Sequence, residues 1–115
     1  MDFTVIICTY NRSGNLPSCL AALARQEGVA GIDWEVLVVD NNSSDDTPQV
    51  VARLGRELPI KVRYVREAQQ GLNYARNRGV SSSEGTHFTF VDDDIQVSPQ
   101  WLAALHRAFG ETDAD

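Results

Sequence analysis

Apolar residues gather into four short runs rich in β-branched side chains, each followed by polar turn formers and then by helical spacing. Phe3-Thr4-Val5-Ile6-Ile7-Cys8 is nearly continuous, the pattern of a strand buried on both faces. Leu16, Leu20 and Leu23 recur at helical spacing among Ala21, Ala22 and Ala24, predicting a helix over 16–26 with Pro17 in its first turn. Trp34-Glu35-Val36-Leu37-Val38-Val39 reads as a second strand stopping at Asp40, and the turn formers of 41–46 follow it. Thr47-Pro48 supplies an N-cap and an N1 proline for a helix reaching about Leu58. Residues 60–65 alternate, so the third strand has one face less buried. Gly71 precedes a helix from Leu72 to about Arg78, ended by Gly79 or shortly after. His87-Phe88-Thr89-Phe90-Val91 forms the fourth strand, broken by Asp92-Asp93-Asp94. Ser98-Pro99 opens a last helix whose face carries Trp101, Leu102, Leu105 and Phe109, and residues 110–115 are a polar tail with no element of its own.

Strand–helix alternation with short connections predicts βαβ units with right-handed crossovers. The fold class is α/β: one doubly wound, mostly parallel sheet with flanking helices, a single domain over 1–115. No repeat, low-complexity tract or linker interrupts it.

Composition narrows the function classes. A chain of 115 residues that is 43% apolar and 23% charged can bury its own core. Its net charge of −6 argues against a nucleic-acid partner, because that binding runs on phosphate neutralisation. A polybasic membrane patch is also missing. Cys8 and Cys19 form no CxxC pair and sit among apolar residues, as reduced core thiols do in a cytoplasmic protein. The sequence shows no signal peptide and no apolar run long enough to span a bilayer, which leaves peripheral membrane association open.

In doubly wound sheets ligands bind outside the carboxyl ends of the strands, at the switch in strand order. The polar clusters of this chain fall there. The first strand delivers Thr9-Tyr10-Asn11-Arg12, the second Asp40-Asn41-Asn42, the third Arg66 and Glu67 ahead of the Gly71 loop, and the fourth Asp92-Asp93-Asp94. Three consecutive carboxylates repel one another unless water or a cation screens them. In an extended segment Asp92 and Asp94 face one way and Asp93 the other, and oxygen ligands suit Mg²⁺ or Mn²⁺ carrying substrate phosphates. The same triplet also reads as a solvated acidic turn. Asp40 either accepts from a ribose hydroxyl or base N–H or simply starts its turn. Tyr10 either stacks on a base or packs in its loop, and one of Arg76 and Arg78 is placed to reach a phosphate. Several alternatives lack their signatures: no GxGxxG follows the first strand, no GxxxxGK[ST] occurs, and a phosphoacceptor domain would need an acidic pair after that strand.

Taken in order, these segments resemble the amino-terminal half of a family-2 glycosyltransferase, the inverting GT-A type. The resemblance rests on Ile6-Ile7-Cys8-Thr9-Tyr10-Asn11-Arg12, on residues 35–47, on Gly71-Leu72-Asn73-Tyr74-Ala75-Arg76-Asn77-Arg78-Gly79 and on the DxD-like Phe90-Val91-Asp92-Asp93-Asp94. It implies that Thr9, Tyr10, Asn11 and Arg12 line a nucleotide-sugar pocket, that Asp40 and Asn42 serve the nucleotide, with Asp40 on the base, and that Arg76 and the Gly71 loop lie near the phosphates. Asp92 and Asp93 would complete that pocket, and Asp92 and Asp94 would hold a divalent metal, Mn or Mg. The donor it implies is a nucleoside-diphosphate sugar, most often a UDP-sugar, and the acceptor a sugar or lipid-linked hydroxyl in polysaccharide or cell-envelope biosynthesis. The family's general base lies beyond the DxD strand, and none of Glu111, Asp113 and Asp115 has a matching context. The expectation is therefore a truncated domain that supplies the donor and metal site without a catalytic residue. The alternative is a non-catalytic nucleotide- or Mg²⁺-binding module.

Overall fold

The computed structural model describes the backbone of residues 1–113 and the side chains of 1–110. The elements run β1 (Phe3–Thr9), a 3₁₀ turn (Ser13–Asn15), α1 (Leu16–Ala24), β2 (Trp34–Asp40), α2 (Thr47–Glu57), β3 (Val62–Arg66), α3 (Leu72–Ser82), β4 (His87–Phe90) and α4 (Trp101–Asp113). All pairings are parallel and the strand order is β3-β2-β1-β4. The first three strands step outward in one direction, and β4 then returns to the other side of β1. The order therefore reverses between β1 and β4, and a crevice opens at their carboxyl ends.

β1 and β2 are buried on both faces, as their continuous apolar runs require. On one face Val5, Ile7, Val36 and Val38 pack with Leu16, Leu20 and Leu23 of α1 and Val51 and Leu54 of α2, and Trp101 at the start of α4 joins them. On the other face Ile6, Leu37 and Val39 meet Ala75 of α3. α3 does not cover β4, where Phe88 and Phe90 remain 43% and 38% exposed in an edge-to-face pair at 5.8 Å. The edge strand β3 is only half-buried, as its alternation predicts.

Two predicted features are corrected and one is sharpened. α3 ends shortly after Gly79, at Ser82. A Cβ at Gly79 would lie 2.6 Å from Ile6 Cγ2, so the glycine lets the helix approach the sheet closely. Helix α4 runs on to Asp113, so 110–113 are helical rather than a tail, and 114–115 lie outside the described residues. Thr47 is the first residue of α2 rather than its cap, and both its N–H and its hydroxyl donate to Asp45 Oδ1, which closes the turn instead.

The amino-terminal end of the sheet is held by a buried ionic cluster. Glu35, wholly buried on β2, accepts from Thr4 Oγ1 at 2.8 Å and from Arg63 Nε and Nη2 at 2.5 and 2.8 Å. Arg63 also donates to the Ser82 carbonyl at the end of α3, and Gly85 N donates to Thr4 Oγ1. Burial acts to raise the Glu35 pKa, but the hydrogen bonds from Arg63 and Thr4 and the guanidinium charge outweigh it, and the net shift is downward.

Candidate functional site

A cavity of about 530 Å³ opens at the carboxyl end of β1. Cys8, Thr9, Tyr10 and Arg12 of β1 and its exit form its middle. Asn41, Gln70, Gly71, Leu72 and Ala75 flank it on the β2 side, and Asp92, Asp93 and Asp94 on the β4 side. Clusters from separate strand exits thus meet in one crevice because the parallel register brings Thr9 level with Asp40 and Ile6 level with Phe90.

The acidic triplet is not uniform. Asp93 is 4% exposed and turns inward, where Thr9 Oγ1 donates to its Oδ2 at 2.9 Å and Arg12 Nη1 to its Oδ1 at 3.4 Å. It ties the exit of β1 to the exit of β4 across the switch point. Asp92 and Asp94 are exposed on either side of it and line the cavity with it; the segment is a turn rather than the extended run expected, closed by Ile95 N donating to the Asp92 carbonyl at 3.1 Å. Beneath them Cys19 Sγ donates to the Asp92 carbonyl at 3.7 Å.

Two asparagines in left-handed conformation shape the neighbouring loops, Asn11 at φ 50° and Asn42 at φ 67°. Asn11 Oδ1 accepts from the N–H groups of Ser44 and Asp45 at 2.8 and 3.2 Å, and its own N–H donates to Ser43 Oγ. The loop after β1 is therefore locked to the turn after β2. Asn11 itself does not line the cavity.

Asp40, Asn42 and Arg76 also lie outside the lining. Asp40 is wholly buried, and its carboxylate accepts from Ser43 N at 2.9 Å and from the Tyr64 hydroxyl at 2.5 Å, with Arg66 Nη1 at 3.7 Å. Asn42 accepts from Arg66 Nη2 at 2.8 Å on the outer side. The Arg76 guanidinium sits 5.6 Å from the Phe90 ring centroid. Asn41, Leu72, Ala75 and Cys8 line the cavity although the sequence places them only in a strand-exit cluster or motif segment without a site role, and Gln70 is not singled out at all. Strand parity alone would have flagged Cys8, which points to the same face as Ile6 and Ala75.

The charge balance of the lining is three carboxylates against the single guanidinium of Arg12. Burial pushes the Cys8 thiol up to about 11, Arg76 pulls it down, and Asp92 and Asp93 push it further up. Burial likewise raises Cys19 to about 12, with Asp93 and Asp94 adding to it. A diphosphate entering this crevice meets net negative charge. Exposed oxygen ligands on Asp92 and Asp94 fit Mg²⁺ or Mn²⁺. Among the described residues no group of three His, Cys, Asp or Glu side chains is set to enclose a cation. That donor set suits an ion that takes one or two carboxylates and completes its shell with water and substrate phosphate.

The model of Glycosyl transferase family 2 matches residues 4–115. Glycosyltransferase AglE of Haloferax volcanii is 35% identical over 99 residues, which make up 86% of this chain and 32% of AglE. The crystal structure of Staphylococcus aureus TarS 1-349 in complex with UDP is similar at a TM-score of 0.84 and 29% identity, covering 96% of this chain and 32% of that one. The mannosyltransferase PcManGT from Pyrobaculum calidifontis, in complex with GDP-Man and Mn²⁺, is similar at a TM-score of 0.73 and 30% identity, covering 80% of this chain and 27% of that one. The chain thus spans about a third of the length of each of these proteins. Among the described residues no helix is long and apolar enough to cross a membrane. This chain belongs to glycosyl transferase family 2.

Proposed function

We propose that this family 2 chain forms the donor- and metal-binding part of an inverting glycosyltransferase. The observation that carries the reading is the crevice between β1 and β4, where Arg12 and the three Asp residues share one cavity. The donor is a nucleoside-diphosphate sugar. A UDP-sugar is favoured by the similarity to TarS, whose structures include complexes with UDP and with UDP-GlcNAc.

Asp92 and Asp94 would hold the divalent ion. When bound, it neutralises the charge that develops on the departing diphosphate. Asp93 holds Thr9 and Arg12 in place, and Arg12 offers a guanidinium to a phosphate oxygen. Tyr10, 46% exposed at the rim, supplies a ring on which the base can stack. Asp40 would take the base N–H and Arg76 would serve the phosphates, although neither lines the cavity in this arrangement.

Among the described side chains, those of 1–110, none is assigned the general base. Asp93 is fixed between Thr9 and Arg12, and Asp92 and Asp94 are given to the metal. Inversion by attack of an acceptor hydroxyl needs such a base within about 3 Å of it, a term worth ~10²–10⁴-fold. The chain alone should therefore bind donor and transfer sugar poorly. Incubation with labelled UDP-sugars, Mn²⁺ and sugar or lipid acceptors tests this, and robust transfer would contradict it.

A further inference from the structure

The wall of the cavity on the β2 side is a loop with no regular hydrogen bonding of its own, residues 67–71. Its backbone groups converge on one side chain. Asn41 Nδ2 donates to the Gln69 carbonyl at 2.7 Å and to the Glu67 carbonyl at 3.2 Å, and Asn41 Oδ1 accepts from Gly71 N at 2.9 Å. Asn41 is itself 7% exposed and fixed by its N–H to the Thr9 carbonyl at 2.9 Å. The far end of the loop is held by Glu67, which accepts from Gln69 N at 2.9 Å and from Arg78 Nε at 3.1 Å. Gly71, at φ 140°, then turns the chain into α3, and its carbonyl accepts the first helical bond from Ala75 N.

The geometry points to Asn41 as the positioning residue of the donor cavity. Its amide fixes where Gln70, Gly71 and Leu72 stand relative to the exit of β1, and so sets the width of the pocket that receives the nucleotide. This inference rests on the proposed function. An amide suits the position because the loop presents two carbonyls and one N–H, and Asn offers two donors and an acceptor within one planar group. Its neighbour Asn42 is taken by Arg66 on the outer side and has no part in this wall. Without the Asn41 amide, two carbonyls and one N–H lose their partner and the loop samples open arrangements. Nucleotide affinity then falls by the fraction of time the wall is in place.

The test uses UDP with Mn²⁺ in titration calorimetry on wild type, Asn41→Ala and Asn41→Asp. Three readouts are expected to separate. UDP affinity drops roughly ten-fold in Asn41→Ala, as for a wall in place about a tenth of the time. The Gly71 amide, protected in wild type, exchanges faster with solvent. Paramagnetic broadening by Mn²⁺ alone at Asp92 and Asp94 stays unchanged, which a general loss of structure would not allow. Asn41→Asp keeps the shape and the acceptor for Gly71 but loses the donors to Glu67 and Gln69, so its loss of UDP affinity decides the matter if Asn41→Ala does not fold. Wild-type affinity in the folded variants, or unchanged Gly71 exchange in Asn41→Ala, would overturn the positioning role alone. Failure of wild type to bind UDP or GDP with metal would overturn the proposed function and this inference with it.

Discussion

Arg63→Ala removes one partner of the buried pair with Glu35 and leaves a carboxylate with no accessible surface beside Thr4 Oγ1 and the more distant Glu84 N–H. Breaking a buried pair in this way costs ~3–5 kcal/mol, mostly as the penalty of the stranded charge. Arg63 itself is 30% exposed and solvent moderates its share, so the lower end, about 3 kcal/mol, applies. For a domain near 100 residues this corresponds to a fall in Tm on the order of 12 °C. The pH dependence carries the diagnostic sign. In wild type the Glu35 carboxyl lies below its ordinary value of 4.5, so its stabilisation is present above that pH and lost as pH falls through the folded value. In the variant burial, the largest influence, is opposed only by the hydrogen bonds from Thr4 and Glu84, so the carboxyl rises and protonation restores stability on acidification. The gap between variant and wild type should therefore be widest at pH 7 and narrow towards pH 4. Thermal melts followed by circular dichroism at pH 7, 5.5 and 4 measure it. A fall of only a degree or two, or a gap independent of pH, would refute the buried-charge reasoning.

Gly79→Ala should destabilise by ~1–2 kcal/mol in urea titration, because overpacking against Ile6 Cγ2 outweighs the ~1 kcal/mol gain in helix propensity. A more stable variant would contradict the close approach of α3. Cys8 and Cys19, raised to about 11 and about 12, should react with a disulfide reagent at pH 8 far more slowly in the folded chain than in urea. Only about one Cys8 in a thousand is a thiolate at that pH, so immediate reaction would contradict their burial. Asp94→Ala should abolish the metal enhancement of UDP binding with little change in Tm. Asp93→Ala should lower both UDP affinity and Tm, because Thr9 and Arg12 lose their shared partner. Equal behaviour of the two variants in calorimetry would contradict the division of roles within the triplet.

Element order was readable because β1 and β2 are compact β-branched runs and a proline or glycine stands at or within two residues of each helix start. Where the reading fell short, the cause was spatial. Gly79 lies just before the end of α3 as expected, but its reason is not local: it answers to Ile6, 73 residues earlier and on the facing strand. Gly110 has the local look of a helix end, and α4 passes through it to Asp113. The four strand-exit clusters could be named from sequence because parallel topology sends every exit to one end. Which side chain of each cluster enters the cavity could not. Asn41 and Asn42 are the same residue type, and a left-handed φ at Asn42 sends its side chain out to Arg66 while Asn41 turns in. Asp40 found its partners Tyr64 and Arg66 on the adjacent strand, a pairing fixed by register rather than local pattern.

The central claim is that the crevice between β1 and β4 is a metal-assisted nucleoside-diphosphate site. Calorimetric titration of the chain with UDP, once with MnCl₂ and once with EDTA, tests it most directly. Three carboxylates and one guanidinium line the cavity, so the diphosphate needs the cation to enter, and the account predicts clearly tighter binding with Mn²⁺. Identical affinity in the two titrations would contradict it.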